Sequence, residues 1–265
     1  MKKFLGTMLL VTACQALFAQ SIQKDSVQLP PLEVRAIRAS ERAPFAKQNL
    51  SKSDIQKNNL GPDLPFLLNQ TPSVVVQSDA GNGIGYTGIR IRGTDATRIN
   101  VTINGIGYND AESMGTFLVN LPDFASSVSS IQIQRGVGSS SNGPSAFGAS
   151  INLSTHELNE KAYFSTSNSA GSFGTIKNTI QFGSGLINKY FTVDARISSI
   201  KSDGYIDRAS SDLRSYYVSG AYIKGKTSLR FTTFSGKEKT YQAWYGVSAS
   251  NLENNRTFNP AGTEK

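Results

Sequence analysis

Tyr190-Phe-Thr-Val-Asp-Ala-Arg-Ile-Ser-Ser-Ile200 is the stretch whose reading decides the fold. Phe191, Val193, Ala195 and Ile197 alternate with Thr192, Asp194, Arg196 and Ser198. A period of two puts apolar side chains on one face of a strand and polar ones on the other. The same texture recurs on both sides. Lys161 to Asn168 predicts a first strand, followed by a tight turn at Gly171. Phe173 to Gly183 predicts a second, with Ile176, Ile180 and Phe182 on one face and Lys177, Thr179 and Gln181 on the other. Leu213 to Ile223 and Thr227 to Phe234 complete a set of five. Segments of about ten residues with one apolar and one polar face are the pattern of a membrane barrel, apolar toward lipid and polar toward the bore. The links at 184–189 and 224–226 are short, whereas those at 201–212 and from Ser235 onward are longer and richer in Tyr, Asp and Arg. Short turns on one side and long loops on the other fit a barrel whose short side faces the periplasm. Five strands cannot close, since about eight is the smallest membrane barrel, so the expectation is the front part of a longer protein. A five-stranded soluble sheet is the alternative.

Upstream of residue 158 the texture is that of a small mixed domain. Gly88-Ile-Arg-Ile-Arg-Gly-Thr-Asp-Ala-Thr-Arg-Ile-Asn-Val-Thr-Ile-Asn-Gly105 reads as two half-buried strands around a polar loop. Arg90 and Arg92 lie side by side on one polar face and ask for an acidic or polar wall opposite them. Ser51 or Ser53 caps a helix over Lys52 to Asn58, and a second short helix is expected at about Leu64 to Asn69, ended by Thr71-Pro72. Ser73 to Gln77, Val128 to Arg135 and Ala149 to Ser154 read as strands, and Tyr108 to Ser113 as a loop. The glycine-rich run Gly138 to Pro144 has no Lys-Ser or Lys-Thr after it and fails as a phosphate cradle.

The N-terminus carries Lys2-Lys3, an apolar run from Phe4 to Val11, and Ala16-Leu-Phe-Ala19, the signature of a secretory leader cleaved after Ala19. Val11-Thr-Ala-Cys14 offers the alternative of a lipid-modified cysteine. No apolar run reaches about 18 residues, so no helical membrane span is expected. The formal charge of +8 includes the two leader lysines, and the remaining basic residues are scattered rather than clustered, which argues against a nucleic-acid partner. Cys14 is the only cysteine, so a mature chain has no disulfide, thiol nucleophile or zinc-thiolate site. His156 is the only histidine and, beside Glu157 in a linker, reads as a solvated residue rather than a metal ligand. No catalytic constellation, metal site or cofactor site emerges, and the expectation is a protein that is not an enzyme. Between leader and mixed domain, Pro30-Pro31 forces an extended entry into Leu32, Val34 and Ala36, which alternate with Glu33 and Arg35. This segment reads either as a free strand waiting for a sheet edge or as a plain linker.

Several motifs, in order, resemble the TonB-dependent outer-membrane receptors: Gln70-Thr-Pro-Ser-Val-Val-Val76, Ile89-Arg-Ile-Arg-Gly93, Val101-Thr-Ile-Asn-Gly-Ile106, Ile131-Gln-Ile-Gln-Arg-Gly-Val-Gly-Ser139, Gly143-Pro-Ser-Ala-Phe-Gly148 and Ile151-Asn-Leu-Ser154. The leader ending Phe-Ala-Gln resembles those of the Bacteroidetes group. The resemblance implies an α+β plug domain over residues 43–157, after a leader (1–19) and a TonB-box segment (20–42). The first strands of an antiparallel transmembrane β-barrel, one of about 22 strands, would then follow over residues 158–265. It implies a TonB box at Leu32, Glu33, Val34, Arg35 and Ala36, although this sequence departs from the commoner Thr-hydrophobic-Thr-Val pattern. Arg90, Arg92 and Arg135 are expected to seat the plug against acidic residues of the lumen wall, most of them on strands beyond the five read here. Asn82, Tyr86, Tyr108, Asn109 and Asp110 on the plug, with Tyr241, Trp244 and Tyr245 after the fifth strand, are the expected ligand contacts, because aromatics beside polar groups suit an organic chelate or a sugar. The implied partners are the periplasmic domain of TonB in its TonB-ExbB-ExbD system, outer-membrane lipid, and a small-molecule substrate. A ferric chelate is expected first; cobalamin, haem or an oligosaccharide are the alternatives within the family, and a secreted structural β-protein the alternative outside it.

Overall fold

The computed structural model describes residues 38–40, 42–138, 143, 145–225, 227–241 and 243–261. The leader, Cys14 and the segment Leu32 to Ala36 lie outside the described residues. Plug-like region and long strands belong to one compact unit.

The first region opens with β1 (Lys47–Ser51), which runs straight into α1 (Lys52–Asn58). Ser51 caps the helix: its hydroxyl accepts from the Asp54 amide while the Asp54 carboxylate accepts from the Ser51 amide. α2 (Leu64–Leu67) is a single turn with Pro65 at its start, shorter than the expected span to Asn69. β2 (Val74–Ser78) pairs antiparallel with β3 (Thr87–Ile91) as a separate two-stranded ribbon. β4 (Ile99–Ile103) leaves that ribbon and enters a five-stranded sheet with β5 (Ile106–Gly107), β6 (Ser130–Arg135), β7 (Ala149–Ser154) and β1, in the order β1-β6-β7-β4-β5. The two strands of Gly88 to Gly105 therefore serve different sheets. The break falls where Arg92 (φ 53) and Gly93 (φ 77) turn left-handed. Ile55, Leu68, Ile91, Ile99, Val101, Ile131, Ile133, Ile151 and Leu153 form the buried core between sheet, ribbon and helices. The other sheet face is also buried but polar. Gln132 accepts from the Ala39 amide at 2.7 Å and donates to Asn49 at 2.9 Å, and Gln134 donates to Gln132 at 3.0 Å.

The second region is one antiparallel sheet of β8 (Tyr163–Gly171), β9 (Thr175–Gly183), β10 (Phe191–Ser202), β11 (Ser211–Lys224) and β12 (Thr227–Thr240), each paired to the next in sequence. All five expected strands are present. Gly171 is the last residue of β8 rather than the turn, which Phe173 (φ 60) and Gly174 (φ 61) make. β12 runs to Thr240, beyond the expected end at Phe234. Ser235 to Thr240 carries no apolar residue, yet pairs with Ser211 to Tyr216. The 184–190 connection and Gly225 share the entry rim, where β8 begins; 172–174, 203–210 and the chain after β12 share the far rim.

The polarity of this sheet is inverted relative to a soluble one. Ile176, Ile180, Phe182, Phe191, Val193 and Ile197 are exposed, Ile197 by 63%. Lys177, Thr179, Thr192, Arg196 and Ser198 are buried, Lys177 to 1% exposure. The buried polar face is covered by the first region, whose core reaches across to take in Tyr217 of β11.

Candidate functional site

The densest set of buried charges lies where the two regions meet. Asp123 stands in Leu121-Pro122-Asp123-Phe124, in left-handed backbone (φ 49, ψ 30) that turns its side chain out of the small domain. Its Oδ1 accepts from Lys177 Nζ at 2.7 Å and Ser126 Oγ at 2.7 Å. Its Oδ2 accepts from Arg196 at 3.2 Å, Thr179 Oγ1 at 3.0 Å, and Ser198 Oγ. Lys177 also donates to the carbonyl and the side-chain oxygen of Asn59, at 3.2 and 2.8 Å. Arg196 also donates to Ser127 at 2.7 Å and Ser215 at 3.0 Å. All three charged side chains are at most 3% exposed. Burial pushes the Asp123 carboxyl up, but the charges of Lys177 and Arg196, with the hydrogen bonds from Lys177 and Ser198, more than reverse this and hold it below the usual carboxylate range. Around the triad the fit is close. A side chain at Gly236 of β12 would collide with Pro122, and Phe124 packs on Phe234 at 5.1 Å between centroids.

A second contact closes the far rim. The loop between β2 and β3 bends through Gly81, Gly83 and Gly85, all at positive φ. Its Ala80 carbonyl accepts from the Tyr205 and Ile206 amides at 2.8 and 3.2 Å, and Asn82 donates to Ser202 at 2.6 Å. Ile84 is buried with Ile200 and Leu213 in a small apolar cluster. Behind this loop Asp63 is buried. Desolvation first and the Glu238 charge second push its carboxyl well above the ordinary value, against a hydrogen bond from Thr87 at 3.1 Å.

Beside the triad, in the register row of Arg196, Tyr217 donates to Thr155 at 2.9 Å, and Thr155 exchanges two hydrogen bonds of 2.8 Å with Asn104. His156 follows. It is half-buried, not solvated as its linker position suggests, and burial with the Arg230 charge lowers it to about 4.

Residues 39–150 match the family model of the TonB-dependent receptor plug domain. The chain carries a TonB-dependent receptor plug. Solved structures share the fold of plug and long strands together. OprC, a copper transporter, superimposes with a TM-score of 0.63 at 16% identity over 77% of this chain and 33% of its own. The ferripyoverdine receptor of the Pseudomonas aeruginosa outer membrane gives 0.60 at 14% identity, over 83% and 29%. The siderophore receptor PirA from Acinetobacter baumannii gives 0.57 at 16% identity, over 81% and 34%. The chain thus spans about a third of the length of these structures. A search of curated proteins finds no match. The architecture is an α+β plug followed by an open five-stranded antiparallel sheet, the fold that those structures share over this part of their chains.

The plug places its expected seating residues away from the charged joint. Arg90 and Arg92 are exposed, and Arg135 donates to the Pro72 carbonyl at 3.2 Å. Among the described residues none of the three forms an ion pair. In the charged joint the acid is on the plug and the bases are on the wall. Of the expected ligand contacts, Asn82 and Tyr86 share the far-rim loop, and Tyr241 follows Thr240, whose hydroxyl lies against Gly85. Trp244 and Tyr245 are exposed and stacked edge-on at 6.4 Å. Tyr108 packs half-buried on the plug core. Asn109 binds Val101, Ile99 and Met114 backbone at 2.8 Å each, and Asp110 caps the 112–113 amides, so both brace their own loop.

Removing the carboxylate alone strands two buried cations. Asp123→Asn is expected to weaken plug seating by about 3–5 kcal/mol, read as earlier trypsin cleavage of the plug in a urea titration of the protein. Asp123→Asn with Lys177→Met should recover part of that loss, and a wild-type profile for the single variant would refute the assignment. The joint also carries opposed pH dependences. His156, depressed in the folded state, contributes stability that is complete above 6.5 and is lost as pH falls toward about 4. Asp63, raised, contributes stability that is complete below 3.8 and is lost as pH rises through its folded value. His156→Asn should therefore remove the decline in seating as pH falls below 6.5, and Asp63→Asn the decline as pH rises above 3.8, in the same titration with a protease active at each pH in place of trypsin.

Proposed function

We propose that this chain is the plug and leading wall of an outer-membrane receptor that takes up a scarce nutrient, a ferric chelate, using energy delivered through TonB. The observation that carries the reading is the inverted wall. Across the strands, the outward side chains fall in rows set by the register. Ile180, Ile197 and Tyr216 form one row, Phe182, Ala195 and Val218 the next, then Val193 with Gly220 and Phe231. Phe191, Tyr222 and Leu229 close the band at the entry rim, where Tyr190 and Phe191 pack on Tyr222 and Lys224 sits 5.6 Å from the Tyr190 ring. An apolar band ended by aromatics and a lysine suits a lipid core and its interface. The opposite face grips a plug through hydrogen bonds that would have no use in a soluble sheet.

In this reading the far rim faces outward. Asn82, Tyr86, Tyr241, Trp244 and Tyr245 then stand where an arriving ligand meets the protein, with Tyr108, Asn109 and Asp110 holding a second plug loop in shape. Arg90, Arg92 and Arg135 seat the plug against further wall. Leu32 to Ala36 pairs by strand addition with TonB, and the pull reaches the plug through the segment at residues 38–40. Nothing in the substrate is cleaved, and the work is a displacement of the plug.

Two measurements test this. Val34→Pro removes a backbone donor from the proposed pairing strand; it should abolish uptake of ferric chelates by whole cells while leaving ligand binding at the cell surface intact. Single cysteines replacing Ile197 and Ser198 should differ in environment. The first should react only with a lipid-soluble maleimide and the second with neither reagent while the plug is seated; equal labelling of both by a water-soluble maleimide would defeat the barrel reading.

A further inference from the structure

Above the apolar band, toward the far rim, the lipid-facing surface changes character within two rows. Ser199, Arg214 and Lys237 occupy the first and Lys201, Asp212 and Lys239 the second. Four cations thus stand around a single carboxylate. Asp212 lies 3.6 Å from Lys201 and 3.5 Å from Arg214, whose side chains remain 60% and 67% exposed. Among the described residues Lys237 and Lys239 have no ion-pair partner, and both are exposed. Arg214 and Lys237 are directly opposed cross-strand neighbours, an arrangement that repels unless an anion lies between them. Just below, the outward side chains of Ile197 and Tyr216 line an apolar groove that ends at Arg214 and Lys237.

Resting on the outer-membrane reading above, we propose that this patch is a binding site for the phosphate-bearing headgroup of an outer-leaflet lipid. The phosphate lies between Arg214 and Lys237, with Lys201 and Lys239 at its sides, and an acyl chain runs down the groove over Tyr216 and Ile197. Charge complementarity selects the headgroup: one fixed carboxylate against four cations leaves an excess positive field at the height where lipid phosphates lie. The adjoining groove selects a lipid over free phosphate, because only a ligand with a chain gains from covering it. The entry rim differs, with Lys224 engaged by Tyr190 and no such cluster among its described residues.

The test uses the whole receptor, purified in neutral detergent and titrated with phosphatidylglycerol or phosphatidylcholine, with retained lipid counted by native mass spectrometry. Wild type should retain phosphatidylglycerol in preference to phosphatidylcholine. R214Q/K237Q should bind phosphatidylglycerol about twenty-fivefold more weakly, at roughly a fivefold loss for each charge removed, and K224Q should bind as wild type. A heat-shift gel confirms that each variant is folded, and without anionic lipid the double variant should be at least as heat-stable as wild type because a repulsive pair is gone. Undiminished phosphatidylglycerol retention by the folded double variant overturns the site. Displacement of the lipid by millimolar inorganic phosphate overturns the lipid as occupant. A receptor that fails to sediment with membranes at all fails at the earlier step, and the barrel reading falls with the proposal.

Discussion

Two wall cations and one plug carboxylate, all stripped of water, are the constraint on which the arrangement depends. Lys177 and Arg196 cannot stand at 1% and 3% exposure on their own, since the cost of desolvating each is several kcal/mol. Asp123 supplies the opposing charge, and Asn59, Ser126, Ser127, Ser198 and Ser215 satisfy the remaining donors and acceptors. The triad is left with one surplus positive charge, which is tolerable only because nearly every polar atom around it has a partner. Such a set fixes register more than it adds stability. A shift of one residue along β9 or β10 would turn Lys177 or Arg196 to the exposed face and bring Ile176 or Ile197 against the carboxylate.

That register in turn explains the sheet. Alternation alone says that one face is polar and one apolar; it does not say which faces water. The plug decides it. Because Asp123, Ser126 and Ser127 present hydrogen-bonding groups, the wall's polar face is the one that is covered and the apolar face is left exposed. The far-rim loop repeats the logic with backbone groups, Ala80 accepting from Tyr205 and Ile206, so that the wall is tied to the plug at two heights.

Much of this architecture is written in local pattern. Period-two alternation marks β9, β10 and β11 to within two residues, and the Ser51/Asp54 pairing marks the start of α1. β1 escapes notice because Lys47-Gln-Asn-Leu-Ser51 has one apolar residue and owes its strand form to pairing with β6. The end of β12 is hidden for the same reason. The joint is less legible. Asp123 lies 54 and 73 residues from Lys177 and Arg196, and nothing local to Leu-Pro-Asp-Phe announces a charge partner. Arg90, Arg92 and Arg135 attract attention by their sign and alternation, but a charge on a strand's polar face reads the same whether it meets water or a wall. Asn109 and Asp110 show the converse ambiguity: a polar loop residue can hold a ligand or hold its own loop, and only the contacts distinguish the two.

The chemical makeup of the joint bears on whether a plug can move without unfolding. The plug's own core is a continuous body of Ile, Leu, Val and Phe, so disrupting it costs cavity and transfer energy at every side chain. Across the joint the apolar contribution is small: Tyr217, Phe234 and the cluster of Ile84, Ile200 and Leu213. Most of the contact is hydroxyl, amide and charge. Such an interface is strong when dry, but each hydrogen bond contributes only about 0.5–1.5 kcal/mol net once water can replace it. A force applied at the N-terminal side of the plug therefore meets two very different resistances. The polar joint yields stepwise as water enters, while the apolar core holds together, so displacement of an intact plug is the lower-energy response to pulling.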